Sequence, residues 1–434
     1  MGANVISLLQ KRRFLPFFLT QFFGAFNDNA FKLTMLTMIS YDLTHIQAQS
    51  EYYQAIASIL FILPFFLLSA TSGQVADKYD KAILIRIIKF IELFLMIIGS
   101  FALYYGTIFW MMFTLTGLGV HSTFFGPIKY AILPDHLPKK DLLGATGLVD
   151  ASTFIAILLG TTLGSLVIGS QYGKPYAAIF LTILVAFLGL FASFMIPQAP
   201  SFLPNLKIEP LFWRATFRLL TQATKNLGIF SAILILSWFW LLGTVLLTKL
   251  PDFTNYVLGA DNTVFALFLA LFSIGIAAGS LAVNVIFHGK IALMVVPWAM
   301  LAFTCFIIDL YWVSSDLKSS SSLVTIETFF TSLTHWRIAC DLFLLAFSAG
   351  LFIVPLYTYL EMTSPPENRA RTIATNNIYN SLFMVLGTLL VMILLHFRVT
   401  IPQVFLVIGL LNIIAASLAG FYLRRVAHLA LVES

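Results

Sequence analysis

The sequence predicts an all-α membrane protein of twelve transmembrane helices arranged as two six-helix halves, and three observations carry that expectation. First, 59% of the residues are hydrophobic and only 10% charged, with mean hydropathy +0.93, whereas charged residues make up about a quarter of an ordinary soluble domain. Second, runs long enough to cross ~30 Å of hydrocarbon, which takes about 20 helical residues, fall near 14–40, 53–74, 83–105, 108–134, 143–168, 175–196, 227–250, 262–287, 291–313, 338–360, 371–396 and 401–423. Third, the longest basic, proline-punctuated connector lies between the sixth and seventh runs. The expected divisions are therefore 1–196, a linker over 197–226, and 227–434.

Span one holds the stretch QFFGAFNDNAFK, in which Asn27, Asp28, Asn29 and Lys32 interrupt an otherwise apolar segment. A charge at bilayer depth costs a few kcal/mol, so it normally faces a partner or a water-filled path. Asp28 and Lys32 stand at i, i+4 on one helical face. They are either a self-neutralising pair that fixes packing or part of a functional site. The run is too long, and too charged, for a cleavable signal.

Spans three to five carry further intramembrane charges. At 1.5 Å per residue, Lys89, Glu92, Lys129 and Asp150 lie roughly 10–15 Å from the side of the termini, and Asp28 nearer ~20 Å. Lys89 and Glu92, at i, i+3, are equally explained as a structural pair. Lys129 follows Gly126-Pro127, expected to bend span four. His121 is either a proton relay or a histidine hydrogen-bonded between helices. Gly160 and Gly164 form a small-xxx-small packing surface. The second half is expected to have no charge at mid-depth, with Lys249 and Asp309 near the outer ends of their spans; its polar groups are mostly Asn284, Asn376, Asn377, Asn380 and hydroxyls. Asn376 and Asn377 either bind substrate or satisfy neighbouring backbone.

Basic residues set orientation. Seventeen Lys and Arg fall on the side of the termini against five opposite, namely Lys174, Lys249, Lys318, Arg337 and Arg398. Both termini are thus expected in the cytoplasm, and the net charge of +6 belongs to loops rather than to a nucleic-acid surface. In the linker, residues 209–226 should form a helix on the membrane surface, with Phe212, Thr216, Leu219 and Leu220 on one side. Cys305 and Cys340 support neither a disulfide framework nor a metal cluster, and no cofactor is implied.

The segment GQVADKYDKAILIR joins spans two and three. A Gly followed four residues later by Asp, then by basic residues in a tight turn, resembles the loop signature of the major facilitator superfamily. In that family the acid, here Asp77, caps a helix of the opposite half, which is reasonable for a carboxylate at a helix N-terminus. Gly73, Asp77 and Lys81 are accordingly the gating candidates. The second copy, GSLAVNVIFHGK, keeps Gly279 but has no acid.

With AFNDNAFK, the stretches HSTFFGPIKYAILPD, GATGLVDASTFIAILLG, GLFIVPLYTYL and ENRARTIATNNIYNSLFMV resemble bacterial lysophospholipid transporters of this superfamily, especially the transporter part of lysophospholipid-reacylating proteins. The resemblance spans essentially the whole chain. It implies a multi-pass protein of the bacterial inner membrane that carries lysophospholipid inward by alternating access, with Asp28 and Lys129 in headgroup recognition or charge locking. Two departures stand out: no acyltransferase domain follows up to Ser434, so a separate cytoplasmic acyltransferase is expected to reacylate the product, and span seven lacks the basic residue some members carry. The alternative is a transporter of another amphipathic molecule, such as a drug or siderophore. His136 and Asp141 match the His-x4-Asp spacing of glycerolipid acyltransferases, but the supporting motifs are absent, so no enzyme activity is expected.

Overall fold

The computed structural model describes residues 5–43, 47–166, 175–315, 317 and 323–432, and among these the regular structure is helical apart from an isolated bridge between Ala260 and Val324. Twelve of the helices have nineteen residues or more: α1 (Leu15–Met38), α2 (Gln47–Lys78), α3 (Lys81–Tyr105), α4 (Ile108–Ala131), α5 (Lys139–Leu166), α6 (Tyr176–Phe194), α7 (Leu227–Asp252), α8 (Asn262–Ile286), α9 (Val296–Ser315), α10 (Leu333–Thr363), α11 (Arg369–His396) and α12 (Ile401–Val432). Among the described residues, ten helices are long and apolar enough to cross a membrane. The two long helices outside that set are α1 and α3, which carry Asp28 with Lys32 and Lys89 with Glu92. Lys174 and Lys318, two of the five basic residues expected opposite the termini, lie outside the described residues.

Local chemistry sets the helix ends. Pro16 sits in the first turn of α1, where its missing N–H leaves no intrahelical bond unmade. The Asp80 carboxylate accepts from Ala82 N at 2.8 Å and Ile83 N at 3.1 Å, capping α3. Asn226 caps α7 through Ile229 N, and Asp261 caps α8 through Thr263 N and Val264 N. Pro127 lies inside α4, which continues through it to Ala131; a separate turn, Leu133–His136, then begins around Pro134.

Within the first six long helices, α1 packs on α5 and α6, α2 on α4, and α3 on α4 and α6; within the last six, α10 packs on α8 and α9, α12 on α9 and α7, and α11 on α7. The α1–α5 contact depends on the glycines of α5. A Cβ at Gly164 would stand 2.9 Å from the Ala30 Cα and 3.0 Å from its carbonyl carbon, so the two backbones touch, and Thr34 Oγ1 donates to Gly164 O at 2.9 Å.

The two sets meet along α2 with α11 and α5 with α8. On the face bearing the basic loops these helices are buried, through residues such as Ser72, Asp77, Ala374 and Asn376, whereas towards the opposite face Tyr52, Ile59, Leu389 and Met392 are exposed. The bonds that join the sets, Asp77 to Arg371, Asp135 to Arg369 and Thr146 to Glu361, lie in the half nearer the basic face.

The linker is tied to that face. Ser201 Oγ donates to Asp77 O at 2.7 Å, and Glu209 N donates to Gln74 Oε1 at 2.8 Å. Its helix runs only from Phe212 to Ala223, shorter than the expected 209–226, because Asn226 is already capping α7. Its buried side is Ala215 and Leu219, which pack on Ala70 of α2 and Ile378 of α11, while Phe212, Trp213 and Phe217 are exposed. The helix therefore bridges the two sets as well as presenting an apolar, arginine-bearing outer side.

Replacing Gly164 by Val should force α1 and α5 apart and destabilise the protein by about 1–3 kcal/mol, the usual cost of overpacking. Thermal unfolding of the purified protein would register this as a melting point several degrees lower; an unchanged melting point would show that the close approach is not required.

Candidate functional site

Two buried polar clusters lie along α4. In the first, Lys89 Nζ is 2.5 Å from Glu92 Oε2, Asn27 Nδ2 donates to Glu92 Oε1 at 3.1 Å, and His121 Nε2 lies 3.0 Å from Glu92 Oε2. The other ring nitrogen of His121 is 3.9 Å from Asp28 Oδ1, and the Ser122 hydroxyl donates to Asp28 Oδ2. The imidazole thus sits between two carboxylates contributed by α1 and α3. Lys89 also faces the Phe125 ring, 5.6 Å from its centroid. Asp28 Oδ1 and Asn27 Oδ1 are buried acceptors with no hydrogen-bond donor among the described residues.

Asp28 and Lys32 do not pair with each other. The carboxylate turns across to the Ser122 hydroxyl and His121 on α4, and Lys32 Nζ stands over the Phe61 ring of α2 at 5.4 Å. Helix packing offers each group a partner on a neighbouring helix, and the intrahelical pair is not formed.

The second cluster lies nearer the basic face. Lys129 Nζ donates to Thr153 Oγ1 at 2.7 Å, Thr153 donates to Gln21 Oε1 at 3.1 Å, and Gln21 Nε2 donates to Ser152. The Tyr130 hydroxyl donates to Asp150 Oδ1 at 2.6 Å, and its ring stacks on Tyr357 of α10 with centroids 4.3 Å apart. Thr146 donates to Glu361 Oε2 at 2.8 Å. Glu361 adds a charge from the second set to this cluster: it is fully buried, two residues before the end of α10, and meets Thr146, one turn along α5 from Asp150. The sequence reading missed it because span ten was taken to end at residue 360, whereas α10 continues to Thr363.

On the other side of the seam, with its amide turned to satisfy its neighbours, Asn380 accepts from Asn376 Nδ2 at 3.0 Å and Trp240 Nε1 at 3.1 Å and donates to Ser237 at 2.9 Å. Asn376 is therefore engaged within the second set. Asn377 is half-buried across the seam from Gly126, where a Cβ would stand 2.9 Å from its Nδ2. Beside the Lys129 chain, an apolar groove of about 540 Å³ runs between α1, α5 and α8, lined by Phe18, Phe22, Ala151, Ile274 and Ala278, with Ser152 on its wall.

The gating candidates lie together at the basic face. Asp77 accepts from Ala370 N at 2.9 Å and Arg371 N at 3.2 Å, the opening residues of α11, and pairs with the Arg371 guanidinium at 2.8 Å. Gly73 permits this approach, since a Cβ there would stand 3.0 Å from Arg371 Cα. Lys81 pairs with Asp135 at 2.8 Å, and Asp135 also holds Arg369 at 3.0 Å. Asp135 was not singled out from the sequence; its only signal was an acid placed directly after Pro134.

His136 and Asp141 do not act together. His136 Nε2 faces Gln198 O at 3.4 Å, its pKa lowered by burial, and Asp141 pairs with Lys11. Cys305 and Cys340 are free and exposed, and no group of His, Cys, Asp or Glu among the described residues suits a metal ion.

A family model described as Major Facilitator Superfamily matches residues 17–332. The chain is 25% identical over 428 residues to a protein of Photorhabdus laumondii named lysophospholipid transporter LplT, covering 97% of this chain and 98% of the relative. A protein of the same name from Cronobacter sakazakii is 26% identical, with 96% and 97% covered. Among solved structures, that of the human organic anion transporter TETRAN superposes with a TM-score of 0.72 at 14% identity, over 94% of this chain and 99% of that one.

Asp77→Asn should weaken the contact between α2 and α11 at the basic face. With Cys305 and Cys340 replaced by Ser and the buried Ala374 replaced by Cys as a reporter, labelling by an impermeant maleimide from the basic side should quicken several-fold. Equal labelling rates with and without the Asp77 change would remove the carboxylate from the seam's closure.

Proposed function

The chain belongs to the major facilitator superfamily, and from that premise we propose that it is a secondary transporter that carries lysophospholipid, chiefly lysophosphatidylethanolamine, across a bacterial inner membrane. In this reading all twelve long helices cross the bilayer, residues 1–196 and 227–434 are the two rocking halves joined by the 197–226 linker, and the basic face with both termini is cytoplasmic. Substrate moves inward by alternating access, and a separate cytoplasmic acyltransferase consumes it. Family membership and the named relatives speak for a transporter rather than an enzyme.

The observation that carries the substrate assignment is the adjacency of a polar chain and an apolar groove. Ser152 belongs to both: it lines the groove between α1, α5 and α8, and it ends the Gln21–Thr153–Lys129 chain of hydrogen bonds. A molecule with a charged head and one apolar tail fits that adjacency. Its phosphate would approach Lys129, its amine the unpartnered Asp28 Oδ1, and its tail the groove. The tail starts in lipid hydrocarbon, so it gains far less than the ~0.8 kcal/mol per methylene of leaving water. Selectivity then falls to the headgroup contacts.

Lys32, Lys89, Glu92, Asp150, Asn376 and Asn377 serve, in the same reading, as charge-locking and shaping groups around those contacts. Closure at the basic face through Asp77, Gly73 and Lys81 corresponds to a state whose central cavity is shut to the cytoplasm.

Asp28→Asn and Lys129→Gln should each remove most uptake of labelled lysophosphatidylethanolamine into vesicles, and a two-chain phospholipid should be a poor substrate because its second tail needs a wider groove. Wild-type uptake by both variants, once shown to be folded and inserted, would overturn the assignment. Movement of cationic dyes in place of lysophospholipid would favour a drug transporter.

A further inference from the structure

Two grooves on the basic face occupy corresponding places in the two sets of helices. The first, of about 810 Å³, lies where α3 begins and α6 ends, lined by Arg12, Arg13 and Arg86 with Phe194 and Met195. The second, of about 830 Å³, lies where α9 begins and α12 approaches its end, lined by Arg424 and Arg425 with Trp298 and Phe421. Helices three and six of the first set are matched by helices three and six of the second. The arginines nevertheless come from different places: from the segment before α1 and the start of α3 in one groove, and from α12 in the other. The same combination is thus built twice from unrelated sequence.

The chemistry of each groove is amphipathic. Arg12, Arg13, Arg424 and Arg425 are exposed, and none has a carboxylate within ion-pair distance among the described residues. Arg86 is fixed by donating to Ile196 O at 2.9 Å, at the end of α6. Beside the guanidinium groups, Phe194, Met195, Trp298 and Phe421 present half or more of their surface outwards. Guanidinium pairs bind phosphate oxygens bidentately, and a basic recess between helix ends on the cytoplasmic side is suited to an anionic lipid headgroup. The neighbouring apolar surface sets such a lipid apart from a free anion, which would have no use for it.

We infer that each groove holds one anionic phospholipid of the surrounding bilayer, its phosphate against the arginine pair and its acyl chains along the aromatic wall. These are sites distinct from the central clusters, and the inference does not depend on which molecule the protein transports.

The test is mass spectrometry of the intact, full-length chain released from detergent micelles, with added phosphatidylglycerol, phosphatidylcholine of the same acyl chains, or inorganic phosphate. Two phosphatidylglycerol molecules should be retained per chain, with phosphatidylcholine held at least tenfold more weakly and millimolar phosphate leaving the lipid in place. R12Q with R13Q should lose one lipid, R424Q with R425Q the other, and the four together both. The four corresponding Lys substitutions, which keep the charge, should retain lipid and so separate loss of binding from loss of fold. Equal retention of phosphatidylcholine by the unaltered protein would overturn the proposal without any variant, and so would displacement by free phosphate or undiminished binding in the folded four-Gln variant.

Discussion

An ionised group within hydrocarbon must find its counter-charge or hydrogen-bonding partner inside the protein, and the arrangement of the first helices follows from that requirement. Lys89 and Glu92 neutralise each other on α3, but the carboxylate still has acceptor capacity, which Asn27 occupies from α1 while His121 of α4 lies 3.0 Å away. His121 in turn reaches towards Asp28. Three helices are therefore held in one rotational setting by side chains that have no inexpensive alternative. The bare backbone of α5 at Gly164 lets α1 sit deep enough to present those side chains inward.

The same requirement produces a different result at the seam between the helix sets. There Asp77 serves two donors at the head of α11 as well as the Arg371 guanidinium, and Asp135 serves Lys81 and Arg369 at once. Each carboxylate joins elements that belong to different sets. Such bonds favour one relative placement of the sets and are lost together when that placement changes, which is how a packed interface becomes two-state rather than continuously deformable.

The architecture was legible in the sequence because hydrocarbon imposes length and polarity so strictly: apolar runs of about 20 residues read directly as helices. The unusual polar residues were legible too, since Asp28, Lys89, Glu92, Lys129 and Asp150 stand out in such runs. Of their partners only Lys89 with Glu92, an i, i+3 pair, could be read off the spacing; the partners on other helices could not. Helical spacing suggested Asp28 with Lys32, but the rotation of α1 against α4, set by packing across the helices, brings Ser122 and His121 to the carboxylate instead. Glu361 escaped because hydropathy locates the end of a span only to within a few residues. The linker helix was visible as amphipathic, yet its pattern did not say which apolar side faces protein; Ala215 and Leu219 do, and the larger Phe212 and Phe217 do not.

That linker helix carries a mechanical consequence. It rests on Ala70 and Ile378, residues of the two helices whose separation would open the basic face; its lead-in is tied to the first set through Gln74, the Asp77 carbonyl and Asp80, and its far end runs within three residues into Asn226, the cap of α7. If α2 and α11 part, the helix cannot keep its apolar side on both Ala70 and Ile378 and must give up one of them. The connector then works as a strap anchored in both sets, whose short helix lies across the seam and adds the loss of an apolar contact to whatever opening the basic face already costs.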